Sequence, residues 1–591
     1  MTNAEIAKIL NEICEILELQ GENPFRVRAY QQSAKTLEFY PEPLSRVYQK
    51  GGRDALLAIP GVGEALGDKV IELLETGKLY FYEQLKKKVP AVILVIATIP
   101  GVGPKTAQKL YQTLKPKDIN DLEKKLTQLL RRIKKSGDQK GFGEKTVANI
   151  LRGMQIKAGL GNRLIITEAL PIAEHFLMVV RKTPGVKQTD PVGSLRRMRE
   201  TVGDIDIIAA AADPKPVIEA FLTNAGVTEI LAQGSTKAMV MYDNRAHVDI
   251  EILPEREYGS LLQHFTGSKE YNIAMRSLAD DLGLSFSEHG FKVTDPSHPW
   301  AKKQIDLAKK AKRWYAGRAM ILCPREEDVY ATIGCAWIPP QLRENNGELE
   351  AAKKGTLPKL VQLEDIKGDI HVHSNQSGDG REEPAAIVEQ AIALGYAYIG
   401  ITDHTVGLGV AGKLSNKQFA KHVADIKKLN DRYKEIRVLA GCELNILADA
   451  TLDVPDSLLA EMDVVVASVH SAFRQSAEVM TERILRTLDN PHVDILAHPT
   501  TRILNYREEI EADWDRIFVQ AAKTQTALEI NSYPERLDSD GLKIRRAKDL
   551  GCQFVISTDS HQLAHFANMR FGAAMAQRGW CEQTQILNTR T

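Results

Sequence analysis

The chain has 591 residues, of which 43% are hydrophobic and 26% charged, and its 77 Lys+Arg balance 77 Asp+Glu. Such a length calls for several domains, each with its own core, while the longest apolar run, residues 91–97, is far too short to cross a bilayer. The balance hides an asymmetry, because residues 1–325 hold 48 basic and 38 acidic side chains and the remainder 29 and 39.

A basic front and an acidic back suit a polyanion held by one part and processed by another, with drift in surface charge as the plain alternative. Six cysteines (Cys14, Cys323, Cys335, Cys442, Cys552, Cys581) show no C-x-x-C spacing, and the start Met1-Thr-Asn-Ala-Glu-Ile has no basic-then-apolar leader pattern. Reduced thiols in a soluble, cytoplasmic protein are expected.

Two near-copies open the chain, Ile59-Pro-Gly-Val-Gly63 and Ile99-Pro-Gly-Val-Gly103, followed by predicted helices over Glu64–Thr76 and Pro104–Leu114. A looser third copy is Gly141-Phe-Gly143-Glu-Lys-Thr. Glycine turns let backbone approach a phosphate, and the following helix offers free N–H groups. A lone G-x-G is weak evidence, since any tight turn contains one; the repetition is what favours DNA backbone binding. The run Arg131-Arg-Ile-Lys-Lys135 adds charge, although such runs are more often a solvated helix face.

Further on, Gly193-Ser-Leu-Arg-Arg197 precedes Gly203-Asp-Ile-Asp206 and an apolar run to Ala212. Asp204 and Asp206 stand two apart on a predicted strand and share a face. A third carboxylate, Asp249, lies in a second predicted strand, Ala246–Leu253. Three carboxylates on neighbouring strands suit two Mg²⁺ ions and phosphoryl transfer. Acids on an exposed sheet edge are the plain alternative, but they leave the Gly193-Ser194 turn unexplained. From Pro324 to Gly368 turn formers and mixed charge read as a linker.

The last third repeats one pattern, in which short apolar runs end on imidazoles or carboxylates. The runs are Asp369-Ile-His-Val-His373, Tyr398-Ile-Gly-Ile-Thr-Asp-His404, Val438-Leu-Ala-Gly-Cys-Glu443, Val464-Val-Val-Ala-Ser-Val-His470, Asp494-Ile-Leu-Ala-His498 and Phe554-Val-Ile-Ser-Thr-Asp-Ser-His561. Strands that finish this way, alternating with helical stretches, set those groups around one rim of a barrel. Nine candidate ligands result: His371, His373, Asp379, His404, Glu443, His470, His498, Asp559 and His561. Imidazole with carboxylate suits Mn, Zn or Fe, and the set without thiolate argues against a closed structural zinc site. Two or three ions and phosphoester hydrolysis are the expectation.

These nine positions resemble those of a polymerase-and-histidinol-phosphatase (PHP) domain, a family that implies a distorted seven-stranded barrel with a trinuclear cluster. Over roughly residues 1–325 the chain resembles the polymerase beta-like family X DNA polymerases, and the repeats resemble helix-hairpin-helix motifs. The whole is similar to a bacterial or archaeal family X polymerase carrying a C-terminal PHP domain. The resemblance implies a multidomain α/β chain. Its parts are a helix-hairpin-helix lyase-like domain (1–85), fingers (86–160), a nucleotidyltransferase palm (161–255), a thumb (256–324), a linker (325–367) and the PHP barrel (368–591).

It also implies roles. Asp204, Asp206 and Asp249 would be catalytic and hold two Mg²⁺ or Mn²⁺ ions; Gly193, Ser194, Arg197 and Gly203 would contact the nucleotide phosphates. Gln263-His-Phe-Thr-Gly-Ser268 matches the segment beside the nucleotide sugar, placing His264, Phe265 and Gly267 there, with Asn272 and Arg276 near base and template. Gly61, Val62, Gly63, Gly101, Val102 and Gly103 would grip DNA. Lys69 matches the family's Schiff-base lysine, a plain surface lysine being the alternative. The barrel's Mn²⁺ or Zn²⁺ ions would serve a 3′-5′ exonuclease and cleavage at abasic sites.

Two residues depart from the family pattern. His264 replaces a Tyr, which bears on sugar discrimination, and Glu251 replaces an Arg, adding negative charge near the palm acids. The expected activity is gap-filling repair synthesis by a monomer, on gapped or primer-template DNA with deoxynucleoside triphosphates. The rivals are a small-molecule phosphatase and a DNA-binding nuclease with an inactive palm.

Overall fold

The computed structural model describes the chain apart from residues 2, 20–21, 24–25, 28–29, 31–32, 35–36, 38–43, 60–61, 89, 91, 94–95, 97–98, 100–101, 103, 137–141, 144–145, 148–149, 152–153, 155–162 and 406–415. It divides into two compact units, Met1–Gly161 and Asn162–Thr591.

The first unit is helical where described. Its helices include Asn3–Leu19, Leu44–Leu57, Glu64–Thr76, Tyr80–Lys88, Pro104–Leu114 and Ile119–Ser136. Each turns an apolar stripe inward, so that Ile6, Leu10, Val70, Leu73, Leu110, Leu122 and Leu126 meet in one core. The two sequence repeats fold alike: Val62 donates its N–H to Ile59 O at 3.0 Å and Val102 to Ile99 O at 2.9 Å.

In the second unit the palm is a five-stranded sheet. Its strand order is Val186–Pro191, Ile205–Ala211, Ala246–Leu253, Lys237–Tyr242, Val227–Gln233. The second and third of these run parallel and the other pairs antiparallel. Ile205, Ile207, Val248, Ile250 and Ile252 pack against Phe176 and Val180 of the helix Ile166–Lys182, which fixes the sheet's register to one face. The helices Tyr258–Thr266, Lys269–Asp280 and Pro299–Lys310 follow, with a four-stranded antiparallel sheet of short strands.

Segment 325–367, expected to be a linker, is folded. It forms helices Glu326–Ile333 and Glu348–Lys354, and its Ile338, Leu342, Leu349 and Leu360 share a core with Tyr271, Met275 and Phe291. Arg343 is fully buried there, paired with Glu326 at 2.6 Å. Prolines and Asn-Gly here turn the chain between short helices, a use that turn-former content does not distinguish from a spacer.

The barrel has seven parallel strands in chain order: Gly368–Asp369, Tyr398–Ile401, Arg437–Asn445, Val464–Ser468, Ile495–Leu496, Ala527–Asn531 and Phe554–Ser557. A parallel bridge between Val372 and Ser560 brings first and last together. Several strands are buried along their whole length, as continuous apolar runs covered by helices require. The first strand is shorter than expected, so His371 and His373 stand just past its end. Among the described residues, no helix is long and apolar enough to cross a membrane.

Candidate active sites

In the palm, the parallel pairing sets Asp206 directly opposite Asp249. Carboxylate oxygens of Asp204, Asp206 and Asp249 lie within 4.8 Å of one another. Burial, then the charges of Asp204 and Asp249, push the Asp206 carboxyl up to about 8. Burial and then Asp204 bring Asp249 to about 6. Asp249 Oδ1 is buried with no hydrogen-bond partner among the described residues. Three crowded oxygen donors with an orphaned lone pair fit hard divalent cations such as Mg²⁺ or Mn²⁺.

Gly193 opens the short helix Gly193–Arg196 at φ +60, and a Cβ there would stand 2.2 Å from Asp206 Oδ2. Glycine is required by the carboxylate as well as by the turn. Ser194 follows on the same helix. Arg197 donates Nε to Glu344 at 3.1 Å and also bonds Thr266 O. A Cβ on Gly267 would approach the Arg197 guanidinium to 3.0 Å, and one on Gly203 would approach that of Arg163 equally. Gly193 thus abuts the Asp206 carboxylate and Gly267 the Arg197 guanidinium.

Asn272 donates Nδ2 to His264 O at 2.7 Å and accepts from Gln263 Nε2 at 3.0 Å. The His264 ring lies 5.4 Å from Phe265, and burial lowers its pKa. Arg276, one turn beyond Asn272, is exposed. Glu251, the unexpected acid, is paired with Lys237 at 2.8 Å, its cross-strand neighbour. The Lys237 ammonium thus offsets the negative charge that Glu251 adds near the palm acids.

In the helical unit, Gly63 caps helix Glu64–Thr76, and among the described residues beyond its chain neighbours no atom lies within 4 Å of where its Cβ would be. Val62 and Val102 do not present side chains for DNA: each is 4% exposed and its N–H is already bonded. They anchor the turns in the core. Gly61, Gly101 and Gly103 lie outside the described residues. Lys69 Nζ stands 5.1 Å over the Phe81 ring, with Arg26 on the same ring at 5.7 Å. Burial and then Arg26 lower the Lys69 pKa.

At the barrel rim the nine candidate ligands form one connected cluster. His373, Asp379, His404 and His561 present donor atoms within 4.8 Å of one another, as do His371, His373 and Asp559, and His404, Glu443 and His470. His498 Nε2 reaches Glu443 Oε1 at 2.9 Å. His371 and His373 face each other through Nε2 atoms 3.1 Å apart. Burial raises the cost of charge on Glu443 and Asp559, yet the imidazoles around them hold both carboxyls well below the ordinary range. Burial also opposes charge on His371, but Glu529, Glu443 and Asp559 raise it well above an ordinary histidine. Asp379 Oδ1 and His498 Nδ1 are buried without partners among the described residues.

Partners outside the cluster orient these rings. Glu529 accepts from His371 Nδ1 at 2.6 Å and from the His498 backbone N–H at 2.6 Å. Asn445 accepts from His470 Nδ1 at 2.7 Å, and Ser377 meets His373 Nδ1 at 3.0 Å. With Nδ1 so engaged, Nε2 of each ring is left to face the cluster. Nitrogen and oxygen donors with second partners already in place fit borderline cations such as Mn²⁺ or Zn²⁺. Glu529 was missed in the sequence because the strand Ala527–Asn531 ends on no imidazole.

Comparison with known proteins follows the same division. The family model for a helix-hairpin-helix domain matches residues 1–79, a SAM-like helix-hairpin-helix tandem 93–155, the DNA polymerase beta thumb 261–344 and the PHP domain 369–533. The chain is 34% identical over 593 residues to the DNA polymerase/3′-5′ exonuclease PolX of Bacillus subtilis (strain 168), covering 100% of this chain and 98% of that one. It is 25% identical over 362 residues to DNA polymerase lambda of Rattus norvegicus, covering 58% and 56%. A Thermoanaerobacter sp. (strain X514) protein named "Probable phosphatase" matches 37% of this chain and 89% of its own length at 25% identity. With helix-hairpin-helix, polymerase beta thumb and PHP models matched along it and a relative 34% identical over its full length, the chain belongs to the family X DNA polymerases with a C-terminal PHP domain.

Proposed function

We propose that the chain fills short gaps in DNA by nucleotidyl transfer in the palm and trims 3′ ends by phosphodiester hydrolysis in the barrel. The observation that carries the reading is the in-register pair Asp206–Asp249 with Asp204 beside it, on a chain with an intact barrel cluster. Asp204 and Asp206 would hold both palm ions and Asp249 the one nearer the primer 3′-hydroxyl. His371, His373, Asp379, His404, Glu443, His470, His498, Asp559 and His561 would hold two or three in the barrel. Bound there, the ions activate an oxygen nucleophile near neutral pH and neutralise charge on the phosphates.

The protein's own groups set the geometry. Gly193 leaves room for the Asp206 carboxylate, and the Ser194 turn with Arg197 faces the triphosphate, stabilising charge that builds on the leaving pyrophosphate. Asn272 fixes the His264 carbonyl, so the backbone of that residue, rather than the missing tyrosine hydroxyl, stands beside the sugar. Trimming before extension lets one chain convert a mismatched 3′ end into a primer.

The test uses a labelled one-nucleotide-gapped duplex with Mn²⁺, with and without nucleoside triphosphates. Extension lost only in Asp204→Ala/Asp206→Ala, and shortening lost only in His371→Ala/His373→Ala, is the expected result. Shortening without extension by the unmutated chain leaves a DNA-tethered nuclease. Turnover of phosphomonoesters alone leaves a small-molecule phosphatase.

A further inference from the structure

Three neighbouring barrel strands send loops to the same rim. Val464–Ser468 leads through His470 to Phe473, Ile495–Leu496 leads through His498 to Arg507, and Ala527–Asn531 leads to Arg536. The Arg507 guanidinium lies 4.1 Å from the centre of the half-buried Phe473 ring. Its Nε and Nη2 both donate to Thr501 O, at 2.9 and 2.7 Å. Arg536 Nε stands 3.7 Å from Asp559 Oδ2 and so borders the ligand cluster directly. Arg502, on the Arg507 loop, donates Nε to Arg536 O at 3.2 Å and joins the two loops.

The charges here do not balance locally. Burial and then the like charge of Arg536 bring Arg507 down to about 10. Among the described residues Arg507 makes no ion pair: Asp538 favours its charge from farther off while accepting from Thr500 and Arg502, and Arg536 is paired with Asp559, which already faces His371, His373 and His561. Two like-charged, partly desolvated guanidiniums beside a metal-ligand cluster, neither held by a close carboxylate of its own, suit a further anion. A guanidinium fork suits a phosphodiester, and an arginine-backed aromatic ring suits a base of a single strand.

We propose that Arg507 and Arg536, with Phe473, form a strand-binding subsite that holds a backbone phosphate of a single-stranded 3′ end next to the scissile bond. This rests on the exonuclease reading. Without that strand, Arg507 would serve only to pin the Thr501 turn and Arg536 only to face Asp559.

The full-length chain with Mn²⁺ is assayed on a 5′-labelled single-stranded oligonucleotide and on bis(4-nitrophenyl) phosphate, a diester with no neighbouring phosphate. Arg507→Gln is expected to raise the oligonucleotide KM about tenfold more than it affects the small diester, and to reduce the salt slope by about 0.7, the contribution of one single-strand phosphate contact. Arg507→Lys, which keeps the charge, should recover the salt slope. Equal losses on both substrates, or an unchanged KM and salt slope, would overturn the subsite and leave the exonuclease standing. An unmutated chain that cleaves the diester but no oligonucleotide would instead sink the exonuclease reading, and the subsite with it.

Discussion

Arg578, on the barrel's last helix, stands 3.0 Å from Glu344, the same carboxylate that receives Arg197 Nε at 3.1 Å. Arg578 also donates to the Arg197 main-chain oxygen at 3.1 Å. The barrel thereby holds both the backbone and the side-chain partner of an arginine assigned to the nucleotide phosphates. All three side chains are less than a fifth exposed, so the pairing is shielded from water and salt. Removing Arg578 leaves Glu344 to Arg197 and the more distant Arg199, at 3.7 Å, so Arg197 must break a tighter pair to meet a triphosphate.

Arg578→Ala should therefore raise the KM for nucleoside triphosphate about tenfold, equivalent to about 1.4 kcal/mol, with a smaller change in kcat. Steady-state gap filling measures the split. A fall in kcat alone would show that the contact only braces the fold. Shortening of single-stranded DNA, read in the same preparation, reports whether the barrel itself remains intact.

The palm acids tie function to stability. Asp206, up to about 8, and Asp249, at about 6, keep their protons in the folded protein above the pH at which an unfolded chain loses them. The folded state therefore binds more protons, and its stability falls as pH rises from about 4 to about 8. Divalent ions should reverse the trend by neutralising the same oxygens. Thermal melting of chelator-treated protein should show Tm dropping across that window and recovering on addition of Mn²⁺ at pH 8. Asp206→Asn should flatten the pH trend, melt higher at pH 8 and abolish extension. A variant that melts lower than the unmutated chain at pH 8 would contradict the assignment of repulsion at this site.

In the barrel, Glu529→Gln tests the partner of His371. The amide retains the volume but loses the charge that fixes the His371 proton at Nδ1. Outer partners of metal-ligating histidines typically carry about 10–100-fold in metal affinity or activity. Metal content after dialysis and exonuclease rate should both fall in that range, while gap filling persists. Retention of metal with loss of rate would instead give Glu529 a role in the chemistry.

What could be read in the sequence, and what could not, follows from how local each signal is. His371, His404, Glu443, His470, His498 and Asp559 each end a short apolar run, so strand and ligand announce one another. Asp206 and Asp249 likewise carry their own strands with them. Glu529 sits between apolar neighbours in Ala527–Asn531, where an acid reads as an ordinary surface residue until the barrel closes and buries it against His371. Glu344 and Arg578 are 234 positions apart and meet only through the fold. The 325–367 segment was misread because its helices are short and its buried Arg343 and Glu348 are charged, which no apolar period reveals.

Lys69 supplies a test in the helical unit. Its ammonium lies over Phe81 beside Arg26, and burial followed by that like charge lowers its pKa. A lower pKa leaves more free amine near neutral pH, the form that attacks an abasic-site aldehyde. Borohydride should therefore trap the chain covalently on DNA carrying an abasic site, and Lys69→Ala should abolish the adduct. Arg26→Ala removes the repelling charge, so the Lys69 pKa should rise and the trapping profile should move to higher pH, with a similar plateau. Unchanged trapping in Lys69→Ala would assign the adduct to another amine. An unshifted profile in Arg26→Ala would mean that burial against Phe81 suffices to set the lysine's charge.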